Sequence, residues 1–173
     1  MAAAVTIRRF VEADAPAVRE LFVRVNRLLA PPQMHDAFEA YIVSSITEEI
    51  GRIAEYYAAR QGSFWVAEDS GRLAGMFGLE KTVNGETMEL RRMYVEPDLR
   101  RRGIARTMLA FAEDECRRLG VARLELSTSE VQGDALSLYR NNGYRLDREE
   151  VAGAATNKTV GGGIRRFYFS KAL

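Results

Sequence analysis

Three consecutive arginines, Arg100, Arg101 and Arg102, stand directly before Gly103, Ile104 and Ala105, where apolar spacing opens a helix. Small residues at a helix mouth let backbone N–H groups approach a ligand, and the helix end adds roughly half a positive charge. The guanidinium groups add side-chain donors. Together these make an anion cradle, most simply for phosphate. The alternative is tight packing beside a solvated basic face. The segment has no Gly-Lys-Ser/Thr, so it is not a nucleotide P-loop. It is also one glycine short of a dinucleotide fingerprint and follows an antiparallel meander.

Just upstream, Glu89 to Val95 reads as a strand whose alternation fails. Leu90 and Met93 are three apart, so the apolar side switches, and a bulge near Arg91-Arg92 explains the switch. Downstream, Gln132 precedes a short helix in which Ala135, Leu138 and Tyr139 share one face. Taken alone, that face is core packing.

The elements that must position these residues follow from periodicity. Val5 to Phe10 is a strand, and Asp14 and Pro16 open a helix carrying Val18, Leu21, Phe22, Val25, Leu28 and Leu29 on one stripe. Pro31-Pro32 stops it. Met34 to Arg60 is helical, as two helices or one bent at Gly51. Phe64 to Ala67, Leu73 to Glu80 and Thr87 to Val95 form a meander, turning at Asp69 to Arg72 and at Asn84-Gly85. A helix from Gly103 to Leu119, a strand from Val121 to Thr128, the short helix and two last strands complete the chain. The Gly-rich segment from Ala152 to Gly163 joins those strands. This order predicts an α/β (α+β) mixed sheet with helices on both faces.

The chain has 173 residues, 47% hydrophobic and 28% charged, so a single domain over 1–173 is expected. Its net charge of +1 supplies no field for nucleic acid or anionic membrane. One cysteine, Cys116, excludes an intrachain disulfide, and one histidine, His35, excludes paired-histidine metal motifs. No metal is therefore expected. Cys116 falls on a helix's apolar stripe, and His35 is expected to be solvated. The start, Met1 to Val5, has no basic region before an apolar stretch, so no secretory signal is expected. No run approaches the ~20 apolar residues of a membrane span. A soluble, cytoplasmic protein is the expectation.

Arg100 to Ala105, Glu89 to Val95 and Ala135 to Tyr144 together resemble the GNAT superfamily of acyl-CoA-dependent N-acyltransferases. Arg100-Arg101-Arg102-Gly103-Ile104-Ala105 matches its phosphate-binding motif, Gln/Arg-X-X-Gly-X-Gly/Ala. Glu89 to Val95 matches its Glu-Leu-X-X-Leu/Met-Tyr-Val strand. Ala135 to Tyr144 matches Ala-X-X-Leu-Tyr-X-X-X-Gly-Phe/Tyr. The close resemblance spans Phe64 to about Arg148. It implies a splayed, mostly antiparallel sheet of six to seven strands with acetyl-CoA in the cleft. Pyrophosphate would lie on Arg100 to Ala105, and pantetheine along Met93, Tyr94 and Val95. Tyr139 would sit near the thioester sulfur as acid. Many relatives carry Asn where Gln132 stands, so Gln132 is a weaker contact.

The implied reaction is direct attack of a primary amine, of a small molecule or a peptide, on the thioester. Glu89 is the candidate base; otherwise it is a strand-face partner of Arg91 or Arg8. The alternative function is a non-catalytic acyl-CoA sensor or scaffold. Nucleic-acid binding through Arg91, Arg92 and Arg100 to Arg102 is disfavoured, with Tyr94 the one interleaved aromatic. The acceptor wall is expected from 31–60 and 152–163, with Tyr41, Tyr56, Tyr57, Glu48 and Glu49 as candidates. The acceptor's identity and homodimerisation are left open.

Overall fold

The computed structural model describes residues 4–173, so the reading of the start at Met1-Ala2-Ala3 lies outside it. The first strand, β1 (Thr6–Arg9), enters a short 3-10 turn and then helix α1 (Ala15–Leu29). Asp14 does not cap α1 through its side chain. Its carboxylate instead accepts the Val11 N–H and two bonds from the Arg8 guanidinium, which pins the strand–helix corner. Pro31 and Pro32 end α1 where expected, since proline cannot continue the helical ladder.

The ambiguous helical stretch resolves into two helices, α2 (His35–Glu48) and α3 (Ile53–Ala58), with a 3-10 turn at Ile50–Arg52. The break falls at Gly51, whose added Cβ would meet the Ile46 carbonyl oxygen at 2.7 Å. Strands β2 (Ser63–Asp69), β3 (Arg72–Lys81) and β4 (Met88–Val95) form the expected meander. Then come α4 (Ile104–Arg118), β5 (Arg123–Ser129), α5 (Gly133–Asn141), β6 (Arg145–Ala152) and β7 (Ile164–Ala172).

The seven strands make one sheet in the order β1-β2-β3-β4-β5-β7-β6. Only β4 and β5 pair in parallel; the other neighbours are antiparallel. Helices α4 and α5 cover one face, burying Met108, Leu109 and Tyr139 against Phe77, Leu90 and Leu124. Helices α1 to α3 cover the other, burying Leu21, Phe22, Ile42 and Tyr57 against Phe64, Val66 and Met76. Cys116 is fully buried in the α4-side core. Burial pushes its thiol up to about 12, so it behaves as a small apolar group.

On the α3 face, the hydroxyl end of the Tyr57 ring packs against the strand at Gly78. A Cβ added there would come within 2.4 Å of the Tyr57 hydroxyl oxygen. Tyr57 is itself buried and holds Glu49 through that hydroxyl, so the ring has nowhere to move. Gly78→Ala should therefore cost about 1–3 kcal/mol of stability by overpacking. The measurement is the urea midpoint; an unchanged midpoint would mean that the ring does not rest on this strand.

Candidate active site

The site begins at the bulge. Gly78 pairs with Arg91 and Met76 with Tyr94, so Arg92 and Met93 together oppose the single residue Phe77. Arg92 takes a left-handed backbone, φ 55°. That conformation costs free energy for a residue with a Cβ and persists only where its surroundings hold it. They do so through the side chain. The Arg92 guanidinium donates to both carboxylate oxygens of Glu49 (3.0 and 3.2 Å), to the Tyr41 hydroxyl (2.6 Å) and to the Asn157 carbonyl (2.6 Å).

Arg91 reaches the same place. It donates to Glu49 at 2.5 Å and to Glu80 at 3.3 Å, and its Nη2 lies 3.4 Å from the Asn157 carbonyl. The Tyr57 hydroxyl supplies a further donor to Glu49. All three charged side chains are almost wholly buried. Burial alone would push the Glu49 carboxyl up, but Arg92 and Arg91 outweigh it and hold the group below the usual carboxylate range.

Beyond the bulge the sheet opens. The parallel ladder between β4 and β5 covers only Met88–Leu90 against Leu124–Leu126. After that, β5 continues with β7 and β4 with β3. The amide of Glu96 bonds the Ala74 carbonyl on the β3 side at 2.8 Å. By strand alternation the amide of Val95 then faces the opening, and Met93, in the bulge, lines the same cleft.

At the end of β4, the 3-10 turn Pro97–Leu99 leads into α4. Arg101 (φ 62°) and Gly103 (φ 78°) both turn left-handed, which swings successive N–H groups to one side. Among the described residues, the amides from Arg100 to Arg106 meet no backbone acceptor; the first such bond of α4 is Thr107 to Gly103. A row of free donors at a helix mouth beside Arg100 and Arg101 suits a diphosphate. Two ion pairs hold the turn: Arg24 binds Glu96 with 2.6 and 2.8 Å bonds, and Arg72 binds Asp98 with 2.9 and 3.0 Å bonds.

A cleft of about 710 Å³ runs along this gap. Met93, Tyr94, Val95, Arg100, Arg101, Gly103, Ile104, Ala105, Gln132, Glu89 and Tyr139 all line it. Arg102 does not; its guanidinium turns outward to within 3.9 Å of Asp69. The Gln132 side-chain carbonyl accepts from the Thr128 hydroxyl (2.8 Å) and the Ser129 amide (3.3 Å), which anchors the entry to α5. Burial, with Tyr94 nearby, pushes the Tyr139 phenol well up, so it stays protonated.

Glu89 pairs with neither arginine foreseen for it. Arg91 serves Glu49 and Glu80, and Arg8 serves Asp14 and Glu68. The Glu89 carboxylate instead accepts from Lys158 of the β6–β7 connection at 2.7 Å. The acceptor-wall expectation is corrected in part. Tyr41 lines the cleft, but Tyr56, Tyr57 and Glu49 are core residues, and Glu48 is exposed and accepts from the Ser44 hydroxyl. His35 is exposed beside Asp36, as expected. The 152–163 segment does reach the cleft as expected, through Asn157 and Lys158, though sequence reading did not single out those two residues. Nothing in their spacing marks them, because the sheet register alone brings that connection over β4.

Comparison with known proteins agrees with this geometry. Residues 25–144 match the Acetyltransferase (GNAT) family. Human N-acetyltransferase 8 is 31% identical over 114 residues, covering 61% of this chain and 48% of its own length. The chain thus spans about half the length of this and a similar vertebrate relative. Escherichia coli YjgM, an uncharacterised N-acetyltransferase, is 26% identical, with 80% of each chain covered. The crystal structure of the PaiA N-acetyltransferase from Thermoplasma acidophilum in complex with coenzyme A shares the fold. Its TM-score is 0.74 at 18% identity, covering 98% of this chain and 99% of that one. Among the described residues no helix is long and apolar enough to cross a membrane.

The Arg91–Glu49–Arg92 cluster makes a definite prediction. Glu49→Gln leaves two buried guanidinium groups short of their counter-charge, which should cost about 3–5 kcal/mol. Because the native carboxyl lies below its unfolded value, its contribution is present above the ordinary carboxylate range and fades as pH falls through the native value. Urea midpoints of parent and variant should therefore lie far apart at pH 7 and draw together in acid. A constant separation would show that Glu49 is not ionised in the fold.

Proposed function

The chain belongs to the GNAT family of acetyltransferases, and from that premise we propose that it transfers the acetyl group of acetyl-CoA to a primary amine by direct attack in a ternary complex. One observation carries this reading: β4 and β5 part after Leu90 and Leu126 directly beside the free amides at the mouth of α4. Tyr139 and Glu89 line the same cleft.

The cosubstrate supplies an activated thioester. The residues divide its binding between main chain and side chain. The amides and guanidinium groups from Arg100 to Ala105 take the diphosphate, Arg102 through its backbone only. The main-chain amides of Met93 and Val95 align the pantetheine arm, and the Met93 amide also steadies the carbonyl oxygen as charge develops on it. Gln132 contributes through its side-chain amide nitrogen.

An amine like that of lysine, pKa about 10.4, needs about 4–5 kcal/mol to reach its nucleophilic form at pH 7. Glu89, directly or through water, receives that proton. The Lys158 ammonium occupies the seat on Glu89 that an acceptor ammonium would take, so the acceptor must displace it. The Tyr139 phenol, kept protonated by burial, donates to the departing sulfur. A thiol pKa of about 8.5 makes that sulfur a fair leaving group, so the donor accelerates the step without being indispensable.

Purified protein with acetyl-CoA should release free thiol in the presence of a suitable amine. Tyr139→Phe should lower kcat about 10²-fold while leaving the KM for acetyl-CoA nearly unchanged. Parent-like turnover in that variant would remove the acid role. Coenzyme binding without thiol release on any amine would favour the sensor or scaffold reading.

A further inference from the structure

The acceptor end of the cleft carries a charge pattern that a bare amine does not explain. Side chains alternate along β4, β5 and β7. Leu90, Leu126, Phe167 and Phe169 pack toward α4 and α5, so Glu89, Ser127 and Arg166 lie on the opposite side of the sheet. All three line the cleft, and Lys158 joins them from the β6–β7 connection. The group therefore consists of one carboxylate and two cations.

Arg166 is the informative member. It is half-buried, and the hydrogen bond it makes is to the Ser127 hydroxyl at 2.7 Å. Among the described residues no carboxylate lies within 4 Å of it. Glu150, its cross-strand neighbour, is held by Arg148 and by Tyr168 at 2.6 Å each. Of the other cleft cations, Arg106 stands with Arg100 and Arg101 at the mouth of α4, away from Glu89 on β4. Arg91 and Arg92 are neutralised by Glu49 and Glu80, and Arg100 and Arg101 stand at the diphosphate cradle. Arg166 remains as a guanidinium facing the cleft with a neutral partner, and its planar fork suits an oxyanion.

Lys158 completes the pattern. Its ammonium lies 2.7 Å from Glu89 and 3.5 Å from Glu80. An incoming ammonium that takes its place on Glu89 leaves Lys158 only its share of Glu80, a carboxylate that Arg91 already holds. If the acceptor is cationic only, Arg166 keeps its neutral partner and Lys158 must share Glu80 with Arg91. If the acceptor also carries an anion, the two ion pairs simply exchange: ammonium to Glu89, anion to Lys158 and Arg166. We infer that the acceptor is an amine bearing a nearby carboxylate, an amino acid in the broad sense. Arg166 and Lys158 are then the specificity-determining residues that receive its anionic group. This rests on the proposed transfer to an amine in this cleft.

The test compares matched acceptors, free amino acids and their uncharged carboxamides, in the thiol-release assay with acetyl-CoA. The acids should be preferred about 10- to 100-fold in kcat/KM, as expected of a charge-assisted contact. Arg166→Met should lower kcat/KM for the acids by that factor and leave the carboxamides within about twofold. Lys158→Met should reduce the preference for acids in the same direction. Comparing variants on each acceptor cancels the difference in amine basicity between acid and amide. Equal use of acids and carboxamides by the parent, or parallel losses on both in Arg166→Met, would overturn the inference. If no amine releases thiol, the transfer reading fails. Calorimetry of the same acid and carboxamide on the coenzyme-loaded protein then still decides the inference: tighter acid binding lost in Arg166→Met supports it, and equal binding overturns it.

Discussion

A carboxylate out of contact with water, gripped by two guanidinium groups from adjacent residues of one strand, is the constraint around which the rest of this site is arranged. Neighbouring residues on a regular strand point to opposite faces. Arg91 and Arg92 can reach the same Glu49 only because Arg92 adopts a left-handed backbone. The ion pairs and the bulge are therefore one feature described twice. The charges favour the distorted backbone, and the distorted backbone brings the second charge into range. Replacing the cluster with apolar groups would remove its desolvation cost, but it would also remove what bends the strand.

That bend has consequences on both sides of the sheet. The ladder to β5 stops at Leu90, leaving the next stretch of β4 with open main-chain groups. Elsewhere such an edge would invite pairing with another strand. Here it fronts a cleft floored by Tyr139 and closed at one end by α4. On the α2 side, the same guanidinium groups take the Asn157 carbonyl and so fix the connection that carries Lys158. One buried carboxylate thus orders both the open edge of β4 and the connection that carries Lys158, although it does not itself line the cleft.

Much of this was readable in the residues, and what was not follows a physical rule. The step of three from Leu90 to Met93 announced the bulge, because a strand's period of two cannot absorb it. Arg100 to Ala105 announced the helix mouth, because glycine and alanine there matter through what they lack. Both signals are local. The partners of Arg91 and Arg92 were not readable, since Glu49 is more than forty positions earlier and Asn157 more than sixty later. Two adjacent arginines on a strand look like a solvated face unless the burial of both is known. Glu48 and Glu49 show the same limit: adjacent and identical in type, one is exposed and the other is fully buried.

The contrast explains why the cosubstrate end and the acceptor end differ in how far comparison reaches. The cosubstrate end is built mainly from main-chain amides, which any sequence supplies once the backbone turns correctly. A fold shared at TM-score 0.74 with only 18% identity is what such a constraint permits. The proposed acceptor end is built from side-chain charges on β4, β7 and the β6–β7 connection, and 152–173 lie past the matched family region of 25–144. Charge pairing there is set by residues that the shared backbone does not dictate. In the proposed transfer the fold carries the thioester chemistry, whereas the choice of amine rests on Arg166, Lys158 and Glu89.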